Sequence, residues 1–257
     1  MKVIVANNNC ILENLIIWMN NTYLTIIIPC FNEKKTILEI INQLRKIKNI
    51  KKQIILVDDG STDGTRDLIK KKLKNKVDKV IFHKKNMGKG SAIISSIKFI
   101  KGNLIIIQDA DLEYSPTDYH KLIKPFLNYS VKAVYGSRVL GRRKNPNLLS
   151  IKNFPKNFRI FGNYILTKFS NFINKQSLTD VHTCYKIFRK DVFLALKLKE
   201  KGFSFCPEVT TKLSKLSYKI IEVPIKYNGR EVTDGKKIRF KDVFSAIFTT
   251  LKYRYYA

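Results

Sequence analysis

A doubly wound α/β fold with a mostly parallel central sheet is predicted by three observations. Short β-branched apolar runs recur along the chain, each bounded by polar or turn residues. Amphipathic helical patterns fall between them. Carboxylate-bearing and glycine-bearing turns follow the runs directly, and ligands bind at the carboxyl ends of the strands in open α/β sheets. The 257-residue chain is 44% hydrophobic, enough for a sizeable core.

The elements read as follows. Leu24 to Ile28 is the first buried strand, ended by Pro29, since proline cannot continue a central ladder. A turn through Asn32 and Glu33 leads to a helix from about Lys35 to Ile47, whose Ile37, Ile40, Ile41 and Leu44 recur at helical spacing. Gln53 to Val57 is the second strand. It runs into a polar turn, Asp58 to Gly64, where Ser61, Thr62 or Asp63 caps a helix from about Thr65 to Leu73. Val77 to Phe82 is the third strand; a basic loop through Gly88, Lys89 and Gly90 opens a helix from about Ser91 to Ile100. Leu104 to Gln108 is a fourth, fully buried strand, and Pro116 suits the first turn of the next helix. Val131 to Tyr135 is the fifth strand, ending at Gly136-Ser137-Arg138.

Beyond Arg138 the pattern changes. Residues 139–153 read as a basic loop, and Phe154, Phe158, Phe161, Ile165, Phe169 and Phe172 then recur near helical spacing among Lys156, Arg159, Lys168 and Lys175. A strand near Cys184 to Phe188, a helix from Asp191 to Lys199, a helix over 207–216 and an edge strand from Lys219 to Val223 follow. Phe240, Val243, Phe244, Ile247, Phe248, Leu251 and Tyr255 form a last helical stripe. Each aromatic helix either packs on the core or lies in a membrane interface with a basic polar face.

The formal charge of +29 points to an anionic partner or to a biased source composition; only 10 of the 49 basic residues are Arg. A surface poor in Arg is weak for base-specific readout. Four scattered cysteines (Cys10, Cys30, Cys184, Cys206) form no zinc spacing and suit a reducing compartment. No segment has the length and apolarity of a membrane span, and residues 1–22 read as a prefix without a secretory signal.

The acidic tripeptide Asp109-Ala110-Asp111 stands directly after the fourth strand. Two carboxylates one residue apart repel unless a cation lies between them. Oxygen-only ligands suit Mg²⁺ or Mn²⁺, which usually share their shell with substrate phosphates. The alternative is a solvated acidic loop.

Four ordered motifs now stand at the ends of strands: Pro29-x-x-Asn32-Glu33, Asp58-Asp59-Gly60-Ser61, Asp109-x-Asp111 and Gly136-Ser137-Arg138. Together they resemble a family 2 glycosyltransferase of the Rossmann-like GT-A fold. The later segments Thr179-Asp180, Tyr185 to Arg189, Phe205-x-Pro207-Glu208, Glu222 to Ile225, Gly229-Arg230 and Gly235 to Ile238 are similar to those of dolichyl- or polyprenyl-phosphate mannose or glucose synthases. The resemblance covers about residues 24 to 255. It implies a single GT-A domain over 23–257, with a nucleotide-sugar half at 23–138 and an acceptor- and membrane-facing half at 139–257.

Carried over by position, the resemblance implies that Pro29, Asn32, Glu33, Asp58, Asp59 and Ser61 hold the base and ribose, with Gly88 and Lys89 near the diphosphate. Asp111 is the direct metal ligand, with Asp109 near the ribose and metal, and Glu113 as a further ligand. Arg138, Arg230 and Lys236 are the phosphate clamps, the last two on a basic segment resembling a lid. His83, His120 and His182 have no metal spacing between them and are not expected to be catalytic.

The implied reaction is inverting, metal-dependent transfer from a GDP-mannose or UDP-glucose type donor. An alcohol acceptor needs a positioned general base. A polyprenyl phosphate does not, because its monoester is already largely ionised near neutral pH. Neither the Gln-x-x-Arg-Trp of processive synthases nor the Glu-Asp pair of many alcohol-directed relatives is present, so a polyprenyl or dolichyl phosphate is the expected acceptor. Asp180 is the base candidate if the acceptor is instead a sugar hydroxyl of envelope polysaccharide or glycolipid. A lipid acceptor implies a cytoplasmic enzyme, peripheral on the inner, anionic membrane face. Two rivals remain: a basic nucleic-acid binder, which leaves the clustered carboxylates unexplained, and a nucleotidyltransferase, which would release diphosphate. No nucleic-acid partner is expected.

Overall fold

The apolar runs pair into one seven-stranded sheet of order β3-β2-β1-β4-β6-β5-β7. The computed structural model describes residues 22–143, 154–229 and 240–256, apart from the side chains of residues 143, 154–160 and 240–242. Strands β1 (Tyr23–Cys30), β2 (Lys51–Asp58), β3 (Lys79–Phe82) and β4 (Leu104–Ile107) are mutually parallel. β5 (Ala133–Ser137) and β7 (Ile220–Pro224) pair in parallel, while β6 (Lys186–Arg189) runs antiparallel between β4 and β5. The Ile-rich centres of β1, β2 and β4 are buried on both faces, as a sheet covered by helices on both sides requires.

The reversed β6 matters for the site. Its amino end lies at the same rim as the carboxyl ends of its neighbours. The turn before β6 therefore joins the turns after β1, β2, β4 and β5, beside the point where β2 and β4 flank β1 on opposite sides.

The helices α1 (Ile37–Lys46), α2 (Thr65–Leu68), α3 (Lys89–Ser96), α4 (Tyr119–Ile123), α5 (Arg138–Arg143), α6 (Phe154–Asn174), α7 (Lys190–Ala195), α8 (Phe205–Lys215) and α9 (Phe240–Tyr255) fill the connections. Three differ from expectation. α2 widens into a π-helical turn over Ile69–Leu73. α5 winds residues expected as loop into a helix, stitched by the Leu140 amide donating to Ser137 Oγ at 3.0 Å. α7 stops before Leu196, and Lys197 turns left-handed at φ +44°. The Asp63 carboxylate accepts the Thr65 amide at 2.9 Å ahead of α2.

Strand β1 runs through Pro29 instead of ending there. Pro29 pairs with Val57 of β2, whereas pairing to β4 stops at Ile27–Ile107. On that side the strand is already an edge, where a missing N–H breaks no ladder bond.

α6, α8 and α9 pack against one another. Phe161, Tyr164, Ile165 and Phe172 of α6 and Phe244, Phe248 and Tyr255 of α9 remain exposed. Among the described residues, no helix is long and apolar enough to cross a membrane.

Candidate active site

One side of the rim is assembled from four turns. Asn32, at φ +55°, donates its amide to Ser61 Oγ at 2.9 Å and accepts the Thr62 amide on Oδ1 at 2.8 Å. The turns after β1 and β2 are thus locked face to face. The Glu33 amide donates to Thr65 Oγ1, and its carboxylate accepts the Thr36 hydroxyl. Asp58 is fully buried; it accepts Arg66 Nε at 2.7 Å and the Ser61 amide at 3.3 Å. Asp59 accepts the Met87 and Gly88 amides and lies 2.6 Å from His83 Nδ1. His83 Nε2 meets Ser95 Oγ at 2.9 Å. Both carboxylates therefore shape the turns around them: Asp58 binds its own helix, and Asp59 anchors the loop carrying Gly88.

That loop needs its glycines. Gly88 sits at φ +94°, and a Cβ there would lie 2.5 Å from the Lys201 carbonyl oxygen; at Gly90 it would lie 2.0 Å from that of Glu200. Fully buried Glu208 holds this 199–200 backbone in place by accepting the Lys199 and Glu200 amides and the Lys212 ammonium.

Lys89 opens α3 and reaches Asp109 Oδ1 at 2.5 Å, with Cys184 Sγ at 3.4 Å. Burial disfavours the ammonium, but the Asp109 carboxylate outweighs burial and holds Lys89 well above the usual lysine range. Burial, then Asp109, pushes the Cys184 thiol up, so it stays protonated. Asp111 is nearly buried; its Oδ1 accepts the Glu113 amide at 3.2 Å across Leu112, which sits at φ +61°. The Glu113 carboxylate turns aside to accept the Tyr227 hydroxyl at 2.7 Å. Among the described residues no three His, Cys, Asp or Glu side chains converge on a metal position. Two carboxylates at the carboxyl end of β4 still suit a hard divalent ion whose shell substrate phosphates complete.

The other side of the rim centres on Arg138, the first residue of α5. Its Nε and Nη2 form a two-pronged pair with Asp180 at 2.7 Å each, and its amide donates to the same carboxylate at 3.1 Å. Asn163 Nδ2 adds a fourth donor at 3.1 Å. Burial alone would raise the Asp180 carboxyl; the Arg138 guanidinium outweighs it and holds the group below the usual range. Burial and the neighbouring Arg138 charge lower Arg142, one turn along α5. Both guanidiniums face the Tyr227 ring, at 5.2 and 5.8 Å. Behind them, Glu222 of β7 accepts the Thr179 amide, the Thr179 hydroxyl and the Asp180 amide. Arg230 and Lys236 lie outside the described residues.

The turn before β6 is anchored from below by Lys186, which is fully buried, donates to the Val181 and Thr183 carbonyls and sits over the Tyr135 ring. Burial, then the Lys186 charge, pushes the His182 imidazole down to about 4. An unfolded imidazole protonates near pH 6.5. Between about pH 6.5 and 4 the unfolded chain therefore binds the extra proton, and stability is lost on acidification. His182→Gln is expected to flatten the fall of melting temperature across that window; an unchanged slope would remove His182 as its source.

The sequence model described as Glycosyl transferase family 2 matches residues 25–196, spanning the carboxylate turns and the Arg138–Asp180 pair. The chain belongs to this family. This glycosyltransferase is 31% identical to the UDP-N-acetylglucosamine–dolichyl-phosphate N-acetylglucosaminyltransferase of Methanococcus voltae, over 81% of this chain and 86% of that one. It is 31% identical to an uncharacterised protein of Methanocaldococcus jannaschii, over 90% of this chain and 95% of that one. Its fold is similar to glucosyl-3-phosphoglycerate synthase from Mycobacterium tuberculosis, solved with Mn²⁺ and UDP-glucose (TM-score 0.66, 15% identity, 91% of this chain and 79% of that one). The mostly parallel sheet of the glycosyltransferase is the GT-A arrangement.

Several contacts of the glycosyltransferase were not legible in its sequence. Arg66, His83, Arg142 and Tyr227 carry no motif of their own, and Glu222, although within a matched segment, was given no role. Arg66 alone had a local signal, a cation eight residues after Asp58 at the start of a helix.

Proposed function

We propose that this glycosyltransferase moves a sugar, with inversion, from a nucleotide-diphosphate sugar to the phosphate of a polyprenyl or dolichyl phosphate. The observation that carries this reading is the state of Asp180. Four donors already fill it and its pKa is depressed, so it is a poor base for a hydroxyl acceptor. A phosphate monoester needs no base. It needs positive charge, and Arg138 and Arg142 supply a paired cationic face. The Methanococcus voltae relative is named for a dolichyl-phosphate acceptor, which agrees.

On the donor side, Pro29, Asn32, Glu33, Asp58, Asp59 and Ser61 would hold the base and ribose, with Gly88 and Lys89 near the diphosphate. Asp111, assisted by Asp109 and flanked by Glu113, would hold Mg²⁺ or Mn²⁺. When bound, the ion neutralises charge developing on the departing nucleoside diphosphate. Lys89 pairs with Asp109 and orients it. Arg138 aligns the acceptor phosphate for in-line attack, and Arg230 and Lys236 would extend the clamp. The exposed aromatic stripes of α6 and α9 on a chain of charge +29 support docking on an anionic cytoplasmic membrane face.

Purified protein with Mn²⁺ or Mg²⁺, a panel of nucleotide sugars and a short polyprenyl phosphate is expected to yield nucleoside diphosphate and an extractable glycolipid in equal amounts. Nucleoside diphosphate release that requires a sugar hydroxyl acceptor would overturn the lipid-phosphate reading.

A further inference from the structure

The segment after β7 binds both sides of the site in turn. The Ile225 amide donates to the Ser137 carbonyl at 3.1 Å, one residue before Arg138. The Lys226 amide donates to Asp118 Oδ2 at 2.7 Å, and the Asn228 amide to the Glu113 carbonyl at 2.9 Å. Tyr227, between them, offers its ring face to Arg138 and its hydroxyl to Glu113. Its edge meets the Tyr114 ring at 5.1 Å.

The 111–113 turn requires such a tether. Leu112 is held left-handed at φ +61°, a conformation that a branched side chain adopts only when its surroundings over-determine it. The Glu113 amide, donating to the Asp111 carboxylate, fixes it from within, and the Tyr227 hydroxyl, donating to the Glu113 carboxylate, fixes it from outside.

We propose that Tyr227 is a positioning residue that couples Arg138, on the acceptor side, to the Asp111 turn, on the donor side, so that the phosphate clamp and the metal-holding carboxylate are set as one unit. This deepens the lipid-phosphate reading and rests on it for the acceptor half alone. A guanidinium stacked on the ring keeps its height above the site, while the hydroxyl fixes the carboxylate turn that the same ring abuts. Losing the hydroxyl frees the donor turn and removes its interaction with Arg138. Losing the ring also frees the guanidinium.

The test uses the full chain as wild type, Tyr227→Phe, Glu113→Ala, the double variant and Tyr227→Leu. Calorimetry follows binding of Mn²⁺ with UDP and of Mn²⁺ with GDP; kinetics vary the polyprenyl phosphate at saturating donor. Tyr227→Phe keeps the packing on Tyr114 and loses one charge-assisted hydrogen bond, so it is expected to weaken Mn²⁺-dependent nucleotide binding about tenfold. Glu113→Ala is expected to do the same, and the double variant to be no weaker than either single one. Tyr227→Leu is expected to raise the acceptor KM about tenfold as well, a larger change than Tyr227→Phe makes, because only the leucine also loses the ring face under the guanidinium. Nucleotide binding by Tyr227→Phe within about twofold of wild type, or losses that multiply in the double variant, would overturn the coupling. Wild type that turns over no polyprenyl phosphate would overturn the acceptor reading, while the binding arm still decides the role of Tyr227.

Discussion

Asp111→Ala is expected to lower sugar transfer by about a thousandfold or more while leaving the fold intact. Removing a single preorganised electrostatic partner from a reacting centre typically costs about 10²–10³ in rate, and a residue that holds the ion serving the leaving group lies at or above that range. Stability should change by less than about 1 kcal/mol. The contact to the Glu113 amide is lost, and the removal also relieves repulsion from Asp109 two residues away, which offsets the loss. Nucleoside diphosphate release and glycolipid formation, measured at rising Mn²⁺, separate the effects: the variant stays inactive at every metal concentration and melts within a few degrees of wild type. Activity within about tenfold of wild type would remove Asp111 from the metal site.

Asp180→Ala is expected to be the most destabilising single change at the rim. It leaves the Arg138 guanidinium, 19% exposed, without its carboxylate, and strands Asn163 Nδ2 as well. Breaking a buried ion pair from one side costs about 3–5 kcal/mol. For a chain of this size that lowers the melting temperature by roughly 10 °C. Asp180→Asn keeps acceptor oxygen and shape, and should lose less stability but most of the transfer rate, because a neutral amide no longer fixes the fork. The pH dependence follows from the same pair. The folded Asp180 carboxyl sits below its unfolded value, so its stabilisation is present above about pH 4 and is lost as the pH falls through the folded pKa. Urea midpoints of wild type and Asp180→Asn should therefore converge on acidification below about pH 4. A full-strength Asp180→Ala, within about 1 kcal/mol of wild type, would show that the pair is surface decoration.

The two residues illustrate different kinds of legibility. Asp111 stood out because its signal is local: an all-apolar β4 run, then carboxylates at the strand's carboxyl end. Asp180 was noticed as a base candidate, and its saturation by Arg138 emerged only when a contact 42 residues apart in sequence was formed.

The amino-acid sequence by itself determined the strands, the order of the carboxylate turns and their common placement at strand ends, since period and turn chemistry act over a few residues. The apolar faces of α6 and α9 were equally plain. Only the tertiary structure decided which charges meet. The Lys89–Asp109, Arg138–Asp180 and Tyr227–Glu113 contacts span 20, 42 and 114 residues. Each follows from the sheet order, above all from β6 entering antiparallel between β4 and β5 and bringing the 179–184 turn to the rim. A charged side chain declares in sequence that it needs a partner; the partner is chosen by packing, because burial makes an unpaired charge far more costly than any local preference.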